Sequence, residues 1–381
     1  MPNILDYLDW RGDLTFAQSP FNEVDNYILC KLGCPDFTGI IPETGCVPLR
    51  DAVRRFDEAI ADADEDEFLG PLASPVMMNV IRRLPDTARY GDLTVCDFIS
   101  KTDPALAEQF SALTIIMPDK TRFVTFRGTG DTIISWKEDF LLSVEDEVAA
   151  QRDAAAYLIK ESSYDRMPLM VGGHSKGGNL SVYASLKAPQ EVQSRISAIY
   201  NNDGPGFRRD VRSTPEYARI KPVLHTLVSQ HTVIGKLLYH EEDCAIIKCF
   251  QTGIAAHDGF NWEVLGNRFV RCADYSFDSK AFEVALNETL NGMTVDERRS
   301  FVEEFFSVLT TTGAATLSDL NEHRLRQAME IGSEMRHSQE VRKFLQSTIN
   351  IILQETIAEA KAAIPRPRLP FLGDRAGKDE E

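Results

Sequence analysis

Gly173-His174-Ser175-Lys176-Gly177 follows the apolar run Leu169-Met170-Val171 and leads into Gly178-Asn179-Leu180-Ser181-Val182-Tyr183-Ala184. The pattern G-x-S-x-G between a β-rich run and a helical one describes a sharp turn from strand to helix. The serine takes a strained backbone conformation there, and the flanking glycines let helix and strand approach closely. Such a turn lifts the Ser175 hydroxyl above the sheet edge. It also puts the Lys176 N–H at a helix N-terminus, where it can stabilise a developing oxyanion. About 0.1 chance matches to the bare pattern are expected in a chain this long at ordinary Gly and Ser usage. The flanking strand and helix therefore carry the reading. A nucleotide-binding turn is the alternative, and it fails because no G-x-x-x-x-G-K-[ST] occurs.

Upstream of the turn, residues 113–117 and 122–126 are short β-rich runs joined by Pro118-Asp119-Lys120, and residues 136–159 read as helical. Downstream, a helix is expected over 178–187, with strands at 196–200, 222–228 and 245–250. Strands alternating with helices imply a mainly parallel sheet with helices on both faces, an α/β domain over 110–275. Residues 1–109 read as mostly helix and loop and could supply a cap. Residues 276–364 read as helical, and 365–381, Pro-rich then charged, as a disordered tail. The acidic run Asp62-Ala63-Asp64-Glu65-Asp66-Glu67 resembles a calcium loop but lacks the Gly at its sixth position and has Ala73 at the twelfth. It reads as a solvated helix face or loop, and no metal site is expected.

The balance of 41 Lys+Arg against 58 Asp+Glu over 381 residues gives a net charge of -17. That charge opposes broad nucleic-acid binding and adhesion to an anionic membrane surface. The start, Met1 to Arg11, has no basic region and carries Asp6 and Asp9 where a signal peptide needs an apolar stretch. No apolar run approaches the ~18 residues of a transmembrane helix, so no stable membrane insertion is expected. The seven cysteines (30, 34, 46, 96, 244, 249 and 272) are an odd count in a long chain. They are expected as small core residues in a reducing cytoplasm.

A serine nucleophile needs a base and an orienting acid, usually in the chain order Ser, acid, His. His257 lies in Gly253-Ile254-Ala255-Ala256-His257-Asp258-Gly259-Phe260, a loop after the last expected strand, and is the favoured base. His225 falls inside a strand, His231 and His240 flank an apolar turn, and His323 and His337 lie in the late helical region. For the acid, Asp203 ends the strand after the nucleophile helix, whereas Asp243 precedes the last strand. Asp203 is preferred and Asp243 stays as the alternative. The stretch after 222–228, Ser229-Gln230-His231-Thr232, has no carboxylate.

Phe126-Arg127-Gly128-Thr129-Gly130-Asp131 ends an earlier strand with small residues, as a second oxyanion donor requires. With Trp136, Asp139 and Gly173-His174-Ser175-Lys176-Gly177-Gly178-Asn179-Leu180, it resembles the class 3 (fungal-type) lipases. It also resembles a neighbouring bacterial lipase-like α/β-hydrolase family of unassigned substrate. The resemblance spans about residues 110–260. It implies an α/β-hydrolase fold with Ser175 as nucleophile, a late loop histidine as base and Thr129 as an oxyanion donor. Lys176 stands where these lipases have Leu, and their acid after the 222–228 strand has no counterpart.

The expected activity is hydrolysis of small or medium soluble carboxylic esters through an acyl-Ser175 intermediate. His257 would act as base then acid, Asp203 would orient it, and the Thr129 and Lys176 N–H groups would hold the oxyanion. No cofactor is implied, and the partner is a small-molecule ester. The competing readings are a non-catalytic binding protein on the same scaffold and an acyltransferase. The sequence gives no indication of oligomeric state.

Overall fold

Alternation along the strands assigns each side chain to one of two cores. On one face lie Leu113, Ile115, Phe123, Met170 and Tyr200. On the other lie Phe110, Ala112, Val124, Phe126, Leu169, Val171 and Ile199. Neighbouring residues of one strand point to opposite faces, so a sheet with both faces apolar must be covered twice. The computed structural model describes residues 1–60, 75–130, 132–240, 243–281, 283, 293–311 and 316. The sheet contains β1 (Cys46–Pro48), β2 (Thr94–Asp103), β3 (Glu108–Ile116), β4 (Arg122–Phe126), β5 (Leu169–His174), β6 (Ile196–Asn202), β7 (Leu224–Ser229) and β8 (Ala245–Ile247), in that spatial order. β1 to β4 pair antiparallel, and β4 to β8 pair parallel. This is an α/β-hydrolase-like fold, as the strand–helix alternation predicts.

One face is covered by residues of α1 (Ile4–Arg11), α2 (Glu23–Leu32), α3 (Leu49–Ile60) and α4 (Pro75–Arg83). The other carries α6 (Ala149–Ser163), α7 (Lys176–Lys187) and α8 (Pro215–Ile220), with α5 (Ile133–Leu141) preceding them in the chain. Against α5 packs α9 (Val295–Thr311), where Phe140 meets Phe301, Phe305 and Phe306 at 5.4–6.5 Å between ring centroids. The helical run expected over 136–159 is thus two helices.

Asn22 starts α2 with a capping box, accepting from the Val24 and Asp25 N–H groups while Asp25 accepts from its own. Asp25 also takes both arms of Arg89, at 2.7 and 2.5 Å, and the hydroxyls of Tyr7 and Tyr90, with Arg89 and Asp25 fully buried. A bidentate pair of this kind fixes direction as well as position. It locks α2 against α1 and the segment before β2.

Residues 1–109 contribute more than helix and loop. β1 and β2 lie within them and extend the sheet, and the helices there form the covering layer of its second face. The expectation of separate core thiols is corrected at two positions. Cys46 and Cys96 face each other across β1 and β2 and form a disulfide; the other five cysteines are free. The acidic run 62–67, His323, His337 and the tail 365–381 lie outside the described residues, as does most of 276–364. Among the described residues, no helix is long and apolar enough to cross a membrane.

Candidate active site

Ser175 sits between β5 and α7 with φ 59° and ψ -132°, in the left-handed half of backbone space that costs a side chain strain. Its N–H donates to the Asn202 carbonyl at 3.0 Å, which ties the turn to β6. A Cβ at Gly173 would stand 2.2 Å from the Gly177 carbonyl, and one at Gly177 would stand 2.1 Å from the Phe126 oxygen. The obstacles are backbone atoms, so no side chain can move aside. Both glycines are required by the crossing of strand and helix.

His257 ends a short turn at Gly253–His257 after β8. Its Nδ1 lies 2.7 Å from Asp203 Oδ2, while Asp203 has no exposed side-chain surface. Asp203 follows β6 with φ 53°, and its N–H donates to the Leu227 carbonyl at 2.7 Å. This contact sets the tautomer: the proton on Nδ1 donates to the carboxylate, leaving Nε2 as the basic nitrogen. Nε2 is buried and has no hydrogen-bond partner among the described residues. The structure therefore brings Asp203 to His257 and leaves Asp243 elsewhere. The Asp243 side chain is 81% exposed and lies 3.3 Å from Lys221 Nζ. His225 stacks on Tyr200, His231 pairs with Gln230, and His240 meets the Leu238 carbonyl.

Three residues to which the sequence reading gave no role, His174, Lys31 and Tyr27, hold the His257 loop. His174 Nε2 donates to the His257 carbonyl at 2.8 Å, so its Nδ1 must accept, and Lys31 Nζ donates to it at 3.2 Å. Burial pushes the His174 imidazole well below its ordinary range, and Lys31 pushes it further the same way, so it stays neutral. The Tyr27 hydroxyl accepts from the Gly259 N–H at 2.7 Å and donates to Asp258 at 3.1 Å. Lys31 and Tyr27 both belong to α2, so the first covering layer props the base. His174 was visible inside the motif. Lys31 carried no local signal, being 143 residues from its partner.

On the opposite side, a Cβ at Gly128 would lie 3.2 Å from Ser175 Cβ, so the Arg127-Gly128-Thr129-Gly130 segment runs directly over the turn. The Thr129 hydroxyl donates to Asp139 Oδ2 at 2.5 Å. The Gly130 N–H donates to Gln109 Oε1 at 2.9 Å and to Ser135 Oγ at 3.0 Å. Lys176 is the first residue of α7, where N–H groups have no acceptor within the helix. Thr129 and Lys176 thus flank Ser175 from two elements. The Lys176 ammonium is buried against Glu138.

Desolvation lifts the Asp139 carboxyl to about 6, against the opposing pull of Lys176 and of the Thr129 hydrogen bond. A raised acid favours folding most when protonated. Its contribution is full below the unfolded value near 3.8 and lost as pH rises through about 6. Asparagine at 139 does not titrate. The stability advantage of wild type over Asp139→Asn is therefore expected to shrink between pH 4 and pH 7, measured by chemical denaturation at both. A gap independent of pH would mean that the carboxyl is not enclosed.

The sequence profile of the Mbeg1-like family, a lipase-like family, matches residues 84–307, more than half of the chain. The chain belongs to the Mbeg1-like family. The Mbeg1-like stretch takes in β2 to β8 together with Thr129, Ser175, Asp203 and His257, and leaves α1 to α4 outside. Membership of a lipase-like family places the chain among hydrolase-like proteins. Among solved structures, the crystal structure of M37 lipase is similar at 13% identity and a TM-score of 0.32, over 57% of this chain and 69% of that one. None of the curated proteins compared matches the chain.

Proposed function

We propose that this protein is a serine hydrolase that cleaves carboxylic esters through an acyl-Ser175 intermediate. The observation that carries the reading is the 2.7 Å contact from His257 Nδ1 to Asp203, which leaves a buried, unpartnered Nε2 on a loop held to the residue next to Ser175. In the first step Nε2 takes the Ser175 hydroxyl proton as Oγ bonds to the ester carbonyl carbon. The carbonyl oxygen becomes an oxyanion, held by the N–H groups of Thr129 and Lys176. Collapse expels the alcohol, which receives the proton from Nε2. Water, deprotonated by the same nitrogen, then releases the acid and restores Ser175. Asp203 stabilises the imidazolium in both halves. The direct test is a fluorophosphonate probe, which needs an activated serine but no known substrate. Labelling mapped to Ser175 supports the reading, and an unlabelled folded protein overturns it in favour of a non-catalytic binding protein. The acyltransferase alternative has no separate observation behind it.

We also propose small or medium soluble esters as substrates, because a net charge of -17 opposes anionic interfaces. Turnover of a long-chain ester is expected to saturate below its solubility limit. A marked rise only above that limit would transfer the protein to interfacial lipids.

A further inference from the structure

Lys176 carries a charge where the motif's helix needs only a backbone N–H. Its ammonium has no exposed surface, and its partner Glu138 has 1%. All three ammonium hydrogens are used: Glu138 Oε2 at 2.7 Å, the Gln109 carbonyl at 3.0 Å and Ser135 Oγ at 3.4 Å. Glu138 is satisfied as well, since Oε2 accepts from the Gln109 N–H at 3.1 Å and Oε1 from the Ala150 N–H at 3.0 Å. Gln109 and Ser135, which the ammonium touches, are the same two residues that accept the Gly130 N–H. Gly130 directly follows Thr129. Thr129 in turn is tied to Asp139, which shares α5 with Ser135 and Glu138 at the i, i+3, i+4 spacing of one helix face.

We propose that the buried Lys176–Glu138 pair is a positioning device that couples the two oxyanion donors, holding the Thr129 segment in register with the Lys176 N–H. The inference rests on the acyl-Ser175 reading. A buried ion pair is poor value as stabilisation, because well-packed uncharged side chains of similar volume often hold a fold equally well or better. What such side chains lack is direction. An ammonium with three fixed acceptors sets α5 and β3 at one distance from α7, and Gln109 and Ser135 in turn hold the Gly130 N–H of the 127–130 segment. The oxyanion is bound well only where both N–H groups converge on it, and removing one such donor typically costs about 10²–10³-fold in kcat. Loosening one donor should cost less than deleting it.

The test compares Lys176→Met with the uncharged double variant Lys176→Met/Glu138→Gln, in the full chain. The readouts are melting temperature, kcat and KM on a soluble ester, and inhibition by a trifluoromethyl ketone that mimics the tetrahedral oxyanion. Lys176→Met leaves Glu138 unpaired and is expected to melt lower. The double variant removes that buried charge and is expected to regain part of the lost melting temperature, since an amide at 138 can accept from only one of the Gln109 and Ala150 N–H groups that Glu138 accepts from. Its kcat should nevertheless stay about 10- to 100-fold down with KM within about 2-fold, and its affinity for the ketone should fall in step with kcat/KM. A merely structural role would restore activity along with stability. A folded double variant with wild-type kcat and wild-type ketone affinity therefore overturns the inference alone. If the single variant does not fold, the double variant still decides. Wild-type protein without Ser175-dependent turnover overturns the hydrolase reading and this inference with it.

Discussion

Ser175→Ala is expected to lower kcat on a soluble activated ester by at least ~10³-fold, with the melting temperature essentially unchanged. The two effects separate for a physical reason. Ser175 holds φ 59°, a conformation as costly for alanine as for serine, so the turn keeps its strain. The Ser175 N–H, which ties the turn to Asn202, remains in the variant. Only the nucleophile is lost. Residual rate then comes from the oxyanion donors and binding, which in nucleophile knockouts account for no more than ~10³–10⁴-fold over water. Turnover by the folded variant equal to that of wild type would remove Ser175 from the mechanism.

Asp203→Asn is expected to lower kcat by up to ~10⁴-fold, while Asp243→Asn changes it by less than about 2-fold. The amide is nearly the shape of the carboxylate but can present a donor to His257 Nδ1. That moves the imidazole proton to Nε2, the nitrogen that must accept from Ser175. It also withdraws the negative charge that stabilises the imidazolium. The fold should tolerate the change, because Asp203 Oδ1 has no hydrogen-bond partner to lose among the described residues. Asp243 serves as control, being largely exposed and paired with Lys221 away from His257. Steady-state kinetics of the two variants on one ester decides the assignment. Loss in Asp243→Asn with activity kept in Asp203→Asn would transfer the role to Asp243.

The parts of this site that were legible in the sequence are those fixed by short-range geometry. A glycine on each side of x-Ser-x forces the turn, because the close approach of Gly177 to Phe126 admits no Cβ. Asp203 could be ranked above Asp243 because a strand end one crossover after the nucleophile shares its sheet edge. β2 was not legible. Asp97, Lys101 and Asp103 interrupt its apolar run, and a register shift between Cys96 and Ile99 breaks the alternation by which strands are recognised. The Cys46–Cys96 bond was missed because compartment statistics were applied before the cross-strand register was known. Lys176 was visible as a departure from Leu. What it meets, Glu138 and Gln109, depends on how α5 and β3 fold back, and no local pattern encodes that.

The prop beneath the base separates two notions of a module. Similarity defines one unit over residues 84–307, yet Lys31 and Tyr27, which steady the His257 loop, come from before it. Excised on its own, that shared stretch would lose the α1 to α4 side chains that pack with Leu113, Ile115, Phe123, Met170 and Tyr200 on one side of the sheet. Such a fragment would collapse or associate through that side. What is inherited as a recognisable segment is therefore smaller than what must be synthesised together to fold. The discarded layer is also a place where the stiffness of the base could be retuned without altering a residue of the shared stretch.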